Sequence, residues 1–276
     1  MKNQILSLAV LSLLISSIYS CSKEKHEEVV ETKEEISAST LAQIKKLGFN
    51  THEAQKVGNG YLVEGDILLT EENLKEAGVN TNLNIAETEQ YRTTNVVKNL
   101  PRTITVSVTG LNVKFSQALD IVLKRYNDLG LKLKFQRATG GTTGTIDIKG
   151  FYQGPDFLGR IVLASGGFPT SSGNPYNQIL FNTHSAGYSS KSLDQIAGVL
   201  QHEIGHNIGF RHTDYANRAY SCGGSRDNEG QAGVGAIRIP GTPSAPDSES
   251  FMLACVGSSP RTFNANDIVA LNYLYK

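Results

Sequence analysis

Between residues 193 and 208, apolar and polar residues alternate with the period of an α-helix. The apolar residues form one stripe along a helix: Ile196, Val199, Leu200 and Ile204. Ser192 and Gln195 fit a capping box, in which each side chain accepts a backbone N–H of the first turn. Gly209 can adopt the left-handed conformation that ends a helix. The pattern therefore predicts a helix over residues 193–208.

Shorter patterns on both sides of this helix predict a mixed sheet. Glycine-rich breaks separate five strands, which period-two alternation predicts at residues 102–108, 131–136, 145–150, 160–164 and 178–182. Helical periodicity predicts further helices at residues 115–129 and 264–275. We expect an α+β fold with a mixed twisted sheet, two long helices and an irregular C-terminal part. The last strand, 178–182, is expected near the functional cleft, and the pattern leaves the edge strand open.

The first residues of the chain predict export. Residues 5–19 are apolar but too few to span a bilayer comfortably. They lead to Ile-Tyr-Ser-Cys, an ending that resembles a bacterial lipobox with lipid attached to Cys21, and an ordinary secretory signal is the alternative. We expect a signal peptide at residues 1–20 and a charged tether at residues 21–37. The protein is then exported to the bacterial cell envelope, with a lipid anchor in the outer membrane or at the cell surface, or secreted after processing.

The formal net charge of zero conceals two parts of opposite charge. Residues 22–92 hold 14 acidic and 8 basic side chains, a net charge of −6, whereas residues 93–276 carry a net charge of +5. These parts should attract each other, and nothing in the distribution suggests binding to nucleic acid. The acidic part is partly structured, with patterns of a helix, a strand and a helix at residues 39–47, 61–69 and 70–77.

One run of eleven residues reads His-Glu-x-x-His-x-x-Gly-x-x-His and holds the clearest candidate chemistry. A helix presents His202 and His206, four residues apart, to one metal ion. A turn at Gly209 can return His212 to the same ion. Three histidine ligands leave the fourth position of zinc to water, and Glu203 can act as general base on that water. A structural zinc site is the alternative, but its four ligands are usually cysteine and histidine, and the run contains no cysteine.

This run resembles the motif of the metzincin zinc endopeptidases, and its wording is most similar to the bacterial dual-action HEIGH metallopeptidases. The resemblance covers residues from about 93 to 276 and implies a zincin-type catalytic domain with one catalytic Zn²⁺. It also implies a methionine turn beneath the histidines, for which Met252 is the candidate. An ordinary core methionine is the alternative. Ala254 stands where astacins and serralysins carry a tyrosine, so the residue that stabilises the oxyanion stays open, with Tyr215 and Tyr220 as candidates.

The acidic part contains Val-Glu-Gly-Asp-Ile, which resembles the Gly-Asp-Ile core of astacin pro-segments. There the aspartate binds zinc in place of water. The resemblance implies that residues 38–92 form a pro-segment before a catalytic domain at residues 93–276. Asp66 is then the latency ligand until the segment is cut away up to about residues 91–94. A hairpin turn is the alternative, because Gly-Asp is common in turns.

Cys222 and Cys255 are the only cysteines after the lipobox. A disulfide between them is plausible outside the cytoplasm, and two free thiols are the alternative. The expected function is an exported zinc-dependent endopeptidase, made as a latent zymogen and monomeric, which acts on protein or peptide substrates. The alternative is a surface-anchored binding or adhesion module on a protease fold with non-catalytic zinc. A mucin- or glycan-directed protease would change only the substrate, whose identity the sequence does not define.

Overall fold

The structure, a computed structural model, describes residues 35–75, 90–156, 159–188, 190–230, 234–243, 245–255, 257 and 259–276. The predicted signal peptide, Cys21 and most of the tether lie outside these residues and stay predictions. The described helices are α1 (Ala38–Lys46), α2 (Glu71–Lys75), α3 (Val113–Asp128), α4 (Ser185–Tyr188), α5 (Leu193–Ile208), α6 (Ala219–Cys222) and α7 (Ala265–Tyr275). Within the described ranges, no helix is both long enough and apolar enough to cross a membrane.

The described strands confirm the predicted α+β class. They are β1 (Gln55–Val57), β2 (Gly60–Val63), β3 (Ile67–Thr70), β4 (Tyr91–Arg92), β5 (Arg102–Thr109), β6 (Leu133–Arg137), β7 (Ile146–Phe151), β8 (Ala164–Ser165), β9 (Gln178–Asn182) and β10 (Ile237–Arg238). Five of them form the central sheet in the order β6-β5-β7-β9-β8. The first four run parallel, and β8 pairs antiparallel with β9. Apolar side chains on the inner strands are buried, as parallel strands covered by helices require.

The two long helices, α3 and α5, pack against each other and against this sheet. The hydroxyl of Tyr126 on α3 donates to the carbonyl of Gln201 on α5 at 2.9 Å. Both helices place their apolar stripes in one core with the strands: Leu119, Val122, Ile196, Leu200 and Ile204. The predicted bounds of α5 and β9 coincide with the structure. The sheet therefore holds α5 rigidly along its length.

Two strand predictions are wrong in detail. The predicted strand at residues 160–164 shrinks to β8, because the N–H of Asp156 donates to the carbonyl of Arg160 at 2.8 Å and closes a turn there. The predicted strand at residues 61–69 is instead the β2–β3 hairpin, whose tip reverses because Glu64 and Gly65 take φ angles of 52° and 84°. Nothing in the apolar pattern signals a positive φ at a glutamate.

The last strand, β9, was expected near the cleft, and none of its residues is among those that line it. β9 lies inside the sheet between β7 and β8, and β8 is the edge on this side. The chain folds back after β7 and adds β8 on the far side of β9, pairing Ala164 with Phe181. The edge strand and its flanking residues then line the cleft beside α5.

The residues around the predicted limit of the pro-segment are part of a second small sheet. β4 pairs antiparallel with β10, and Gln90, Tyr91 and Thr93 are buried. The N–H of Thr93 donates to the carbonyl of Gly209 at 2.8 Å. Cleavage between residues 91 and 94 would require this pairing to open. The limit between residues 92 and 93 stays a prediction.

One buried carboxylate, Asp267 at the start of α7, joins three segments of the C-terminal part. It accepts hydrogen bonds from the side chains of Gln90 and Ser250 at 2.6 and 2.8 Å. The backbone N–H of Phe251 also donates to it, at 3.1 Å. The turn that contains Met252 is thereby held in a fixed position relative to β4 and α7.

Candidate metal centre and cleft

Helix α5 carries the first part of the candidate site. The predicted capping box is present: the Ser192 hydroxyl accepts from the N–H of Gln195, and the Gln195 side chain accepts from the N–H of Ser192. Gly209 takes a φ of 119° and ends the helix. The N–H groups of Gly209 and Phe210 then bond to the carbonyl of Gly205, which completes the turn toward His212.

Three imidazole rings converge at the end of this helix. The Nε2 atom of His206 lies 2.9 Å from that of His202 and 3.2 Å from that of His212. Zinc–nitrogen bonds of about 2.0–2.1 Å in a tetrahedron separate ligand atoms by roughly 3.3 Å. The three nitrogens are thus spaced as the ligands of one zinc ion would be.

Hydrogen bonds at the Nδ1 atom of each ring determine the tautomer of the three histidines. The Nδ1 atoms of His202 and His206 donate to the carbonyls of Phe251 and Phe210 at 2.8 and 2.9 Å. That of His212 donates to Oε1 of Glu229 at 2.7 Å. With Nδ1 protonated in each ring, the Nε2 atoms face one another, and each can give a lone pair to a bound cation that displaces any proton there. Such a cluster suits a cation, and the three histidines therefore fit zinc.

Asp66 completes the cluster from the tip of the β2–β3 hairpin. Its Oδ2 atom lies 3.0 Å from Nε2 of His212 and 3.4 Å from Nε2 of His202. One ligand atom from Asp66 and one from each of the three histidines all lie within 4.8 Å of one another. The other oxygen, Oδ1, is buried without a hydrogen-bond partner. The structure thus brings the predicted latency ligand to the predicted metal ligands.

Main-chain hydrogen bonds dock the hairpin onto the end of the edge strand. The N–H of Gly166 donates to the carbonyl of Asp66 at 2.9 Å, and the N–H of Leu68 donates to the carbonyl of Gly166 at 2.7 Å. Ile67 and Gly166 form a parallel bridge. The hairpin therefore lies in the cleft as an added strand.

Glu203 lies beside His202 and faces the same cleft. It is buried, and its Oε2 atom has no hydrogen-bond partner. A Cβ built on Gly166 would lie 3.1 Å from this oxygen and 2.6 Å from Oδ1 of Asn207. Only glycine fits there, so the edge strand comes as close to Glu203 as the backbone allows.

Burial and charge set the proton affinities in this cluster. Burial and the charge of Asp66 raise the pKa of the Glu203 carboxyl well above its usual value. Burial, with the charges of His202 and His212, lowers the pKa of His206 well below its usual value. For Asp66, burial raises the pKa, but the charge of His212 and hydrogen bonds from both neighbouring histidines outweigh it and hold the pKa well below its usual value. The site thus holds two buried carboxyl groups whose pKa values are shifted in opposite directions, that of Glu203 upward and that of Asp66 downward.

Met252 lies beneath the histidine helix and is fully buried. A Cβ built on Gly205 would come within 2.5 Å of its sulfur and 2.8 Å of the Phe251 ring. The glycine inside the HEIGH run is thus the residue that lets the Met252 turn approach α5. That same turn supplies the Phe251 carbonyl that orients His202.

The predicted disulfide is confirmed. Cys222 at the end of α6 is bonded to Cys255, with a Cα–Cα distance of 5.1 Å. The side chain of Asp214 joins the same two segments, since it accepts from the N–H of Ala254 at 3.0 Å and from the hydroxyl of Ser221 at 2.6 Å. The bond therefore holds the wall of the cleft that follows His212.

The two tyrosines considered for the oxyanion lie elsewhere. Tyr215 is buried against Tyr91, with ring centroids 4.5 Å apart. Tyr220 is half-exposed, and its hydroxyl donates to the carbonyl of Pro246 at 3.1 Å. Neither lines the cleft, whereas Ala254 does. Neither Tyr215 nor Tyr220 is therefore placed to stabilise an oxyanion in the cleft.

Sequence reasoning missed a set of charged residues around the cluster. Glu229 accepts from His212 and lies 3.5 Å from the guanidinium of Arg211 and 3.3 Å from that of Arg218. Arg211 also pairs with Glu64 of the hairpin at 3.1 Å. No motif marks these residues. In the sequence, only their charge and position mark them: Arg211 and Arg218 lie close to His212, and Glu64 lies two residues before Asp66.

The cleft that contains these groups has a volume of about 900 Å³. Residues of the hairpin segment line it together with the edge strand, α5 and the post-histidine loop. Residues that reach it from opposite sides include Asp66, Leu163, His202, Glu203, Arg218 and Ala254. His202 and Glu203 therefore face one cleft whose walls come from both parts of the chain.

Comparison with known proteins identifies relatives of this arrangement. The family of dual-action HEIGH metallopeptidases matches residues 61–275. The match begins in β2, earlier than residue 93, and so includes the hairpin that carries Asp66. No curated protein matches the chain.

Among solved structures, two of myroilysin are 16% identical to the chain, with TM-scores of 0.38 and 0.37. The alignment with the first covers 63% of this chain and 79% of the myroilysin chain. The alignment with the second covers 65% of this chain and 86% of the myroilysin chain. High choriolytic enzyme 1, a hatching enzyme zinc-protease from the medaka fish Oryzias latipes, is 15% identical, with a TM-score of 0.35. It covers 62% of this chain and 88% of its own.

Replacing Glu229 by glutamine should weaken zinc binding by about 10- to 100-fold, because the charged acceptor that orients His212 is lost. Competition between the full chain and a chromogenic zinc chelator measures the affinity. Glu249→Gln, which changes an exposed glutamate, is the matched control and should leave the affinity unchanged. Equal affinities in both variants would show that Glu229 does not support the metal site.

Proposed function

The chain belongs to the dual-action HEIGH metallopeptidase family, and we propose that it is an endopeptidase, made in a latent form, in which His202, His206 and His212 bind the catalytic zinc. Glu203 is the general base, and Asp66 holds the fourth position until the hairpin leaves. The observation that carries this proposal is the convergence of the Nε2 atoms of His202 and His212 to 2.9 and 3.2 Å from that of His206, beside a buried carboxylate in an open cleft.

The chemistry follows from the placement of Glu203. His202, His206 and His212 would hold the zinc ion, which when bound would supply a Lewis acid able to make water acidic near neutral pH. Glu203 faces the same space, and its Oε2 atom lacks a partner. From this position its carboxylate can accept a proton from the attacking water and pass that proton to the amine that leaves. Its neighbour on α5, His202, donates its Nδ1 proton to the carbonyl of Phe251, which directs Nε2 toward the metal position.

The edge of the sheet provides the binding surface for the substrate. Gly166 donates and accepts main-chain hydrogen bonds with the hairpin in the latent form. An extended substrate segment can use the same two backbone groups after the hairpin leaves. Main-chain pairing of this kind tolerates many sequences, as an endopeptidase requires.

The Met252 turn serves as the floor of this site. Met252 contributes no ligand and supports α5 through its close approach to Gly205. The disulfide between Cys222 and Cys255 strengthens the same region from the other side. We assign both a positioning role.

The base is tested by Glu203→Gln in the proteolytically activated protein. We expect kcat/KM toward an unstructured protein to fall by about 10²- to 10⁴-fold, because proton transfer is lost. Zinc content should stay the same, since Glu203 is not a ligand. Asp194→Asn, on an exposed position of the same helix, is the control and should retain activity. Zinc-loaded protein that cleaves no substrate before the substitution would favour the alternative, a binding module with non-catalytic zinc.

Latency is tested by Asp66→Ala in the full chain. Removing the carboxylate leaves the fourth position to water, so activity before any processing should rise on the order of tenfold or more, a change of about 1.4 kcal/mol. The matched control is Glu53→Ala, which removes a pro-segment glutamate that pairs with Arg160 away from the metal. An Asp66→Ala protein as inactive as the parent would contradict the switch.

We also propose that the protein is exported and anchored by lipid on Cys21. The apolar residues 5–19 and the lipobox-like sequence support this, and a disulfide is compatible with an oxidising compartment. Cys21→Ser should move the protein from the membrane fraction to the soluble fraction of the cells that produce it. Unchanged membrane association in that variant would contradict a lipid anchor at this residue.

A further inference from the structure

Arg211 is a buried cation next to the third histidine. It is 1% exposed, and its guanidinium carbon lies 5.7–5.9 Å from the ring centroids of three aromatic residues: Phe49, Phe168 and Tyr215. Rings at this distance stabilise a guanidinium through cation–π contact. They also exclude water, so the charge depends on the carboxylates that reach it.

Two carboxylates pair with Arg211, and they belong to different parts of the chain. Glu229 comes from the loop after His212 and lies 3.5 Å from Nη2 of Arg211. Its other oxygen is shared between His212 at 2.7 Å and Arg218 at 3.3 Å. Glu64 comes from the hairpin and makes the shorter contact with Arg211, at 3.1 Å. Without the hairpin, Glu229 would be the one described carboxylate that contacts both Arg211 and Arg218. Glu64 supplies a second negative charge to this pair of arginines.

The hairpin tip fixes the spacing of two carboxylates, of which Asp66 lines the cleft and Glu64 is buried behind it. Glu64 reaches Arg211, and Asp66, two residues later, reaches the histidine cluster. Between them, Gly65 lies against Arg218, since a Cβ built there would be 2.7 Å from Nη2 of Arg218. The occupant of the cleft thus meets two cations beside the metal site.

From this arrangement we propose that Arg211 forms an anion-binding subsite of the cleft, which selects substrates with a glutamate or aspartate close to the scissile bond. In the latent form, Glu64 fills this subsite. The inference rests on the proposed peptidase function and adds a substrate class to it: peptides with an acidic side chain.

The physical reason is the charge that remains when the hairpin leaves. Glu64 and Phe49 both lie in the predicted pro-segment, so their departure uncovers one side of Arg211. Phe168, Tyr215 and Glu229 stay and keep the guanidinium in place. A substrate carboxylate restores the lost ion pair, whereas glutamine restores only a neutral hydrogen bond, and lysine places a second cation against Arg211.

The experiment compares cleavage of peptides by the activated protein. Starting from one cleaved peptide, each position near the scissile bond carries glutamate, glutamine or lysine in turn, and kcat/KM is measured for each. At one position, we expect glutamate to exceed glutamine by about tenfold or more, and lysine to be poorest, because a charge-assisted hydrogen bond is made only with the carboxylate.

Arg211→Gln should bring the ratio of glutamate to glutamine at that position close to one. The matched control is Arg160→Gln, which changes a cleft-lining arginine that also pairs with a pro-segment glutamate, Glu53, at 2.6 Å. This control should keep the preference. A preference that survives in Arg211→Gln with normal zinc content would overturn the assignment to Arg211.

Wild-type protein alone also decides the proposal if Arg211→Gln does not fold. A glutamate-to-glutamine ratio near one at every position would mean that Arg211 serves only to hold the hairpin, and would overturn the inference. In that result peptides are still cleaved, so the proposed function stands. Failure to find any peptide or unstructured protein that the activated, zinc-loaded protein cleaves would contradict the proposed function itself.

Discussion

The structure depends on three imidazoles whose Nδ1 protons are all committed. The acceptors are the carbonyls of Phe251 and Phe210 and the carboxylate of Glu229. They come from the Met252 turn, from the chain just after Gly209, and from a loop farther on. Three separate segments must therefore be in place before the three Nε2 lone pairs point at one position. The sheet, Asp267 and the disulfide between Cys222 and Cys255 serve to hold those segments there.

The opposite charges of the two parts of the chain have a structural counterpart at this site. The N-terminal part carries a net charge of −6, and two of its carboxylates, Glu64 and Asp66, come from one hairpin tip and contact Arg211 and His212. The C-terminal part meets them with Arg211, Arg218 and the histidine cluster. The main-chain hydrogen bonds to Gly166 do not depend on side chains, and they position the hairpin backbone. The ion pairs then select for acidic side chains at its tip. Inhibition and substrate choice would then use the same contacts.

Local signals in the sequence predicted the parts that local physics controls. The capping box at Ser192, the stop at Gly209 and the bounds of β9 are correct because each depends on neighbouring residues. The apolar pattern predicted one strand over residues 61–69, whereas the alternative, a hairpin turn at Gly65 and Asp66, is present, with positive φ angles at Glu64 and Gly65. Glu229 and Arg211 were missed because their roles arise only when distant segments meet. For the same reason, the position of β8 at the edge had no sequence signal.

The central claim is that one zinc ion sits among His202, His206 and His212, with Asp66 as its fourth ligand in the full chain. Anomalous diffraction at the zinc absorption edge, from crystals of the zinc-loaded full chain, tests it most directly. The account predicts one peak about 2.0–2.2 Å from the three Nε2 atoms and from Oδ2 of Asp66. A peak away from the three histidines, or one at the histidines with Asp66 turned away from it, would contradict the account.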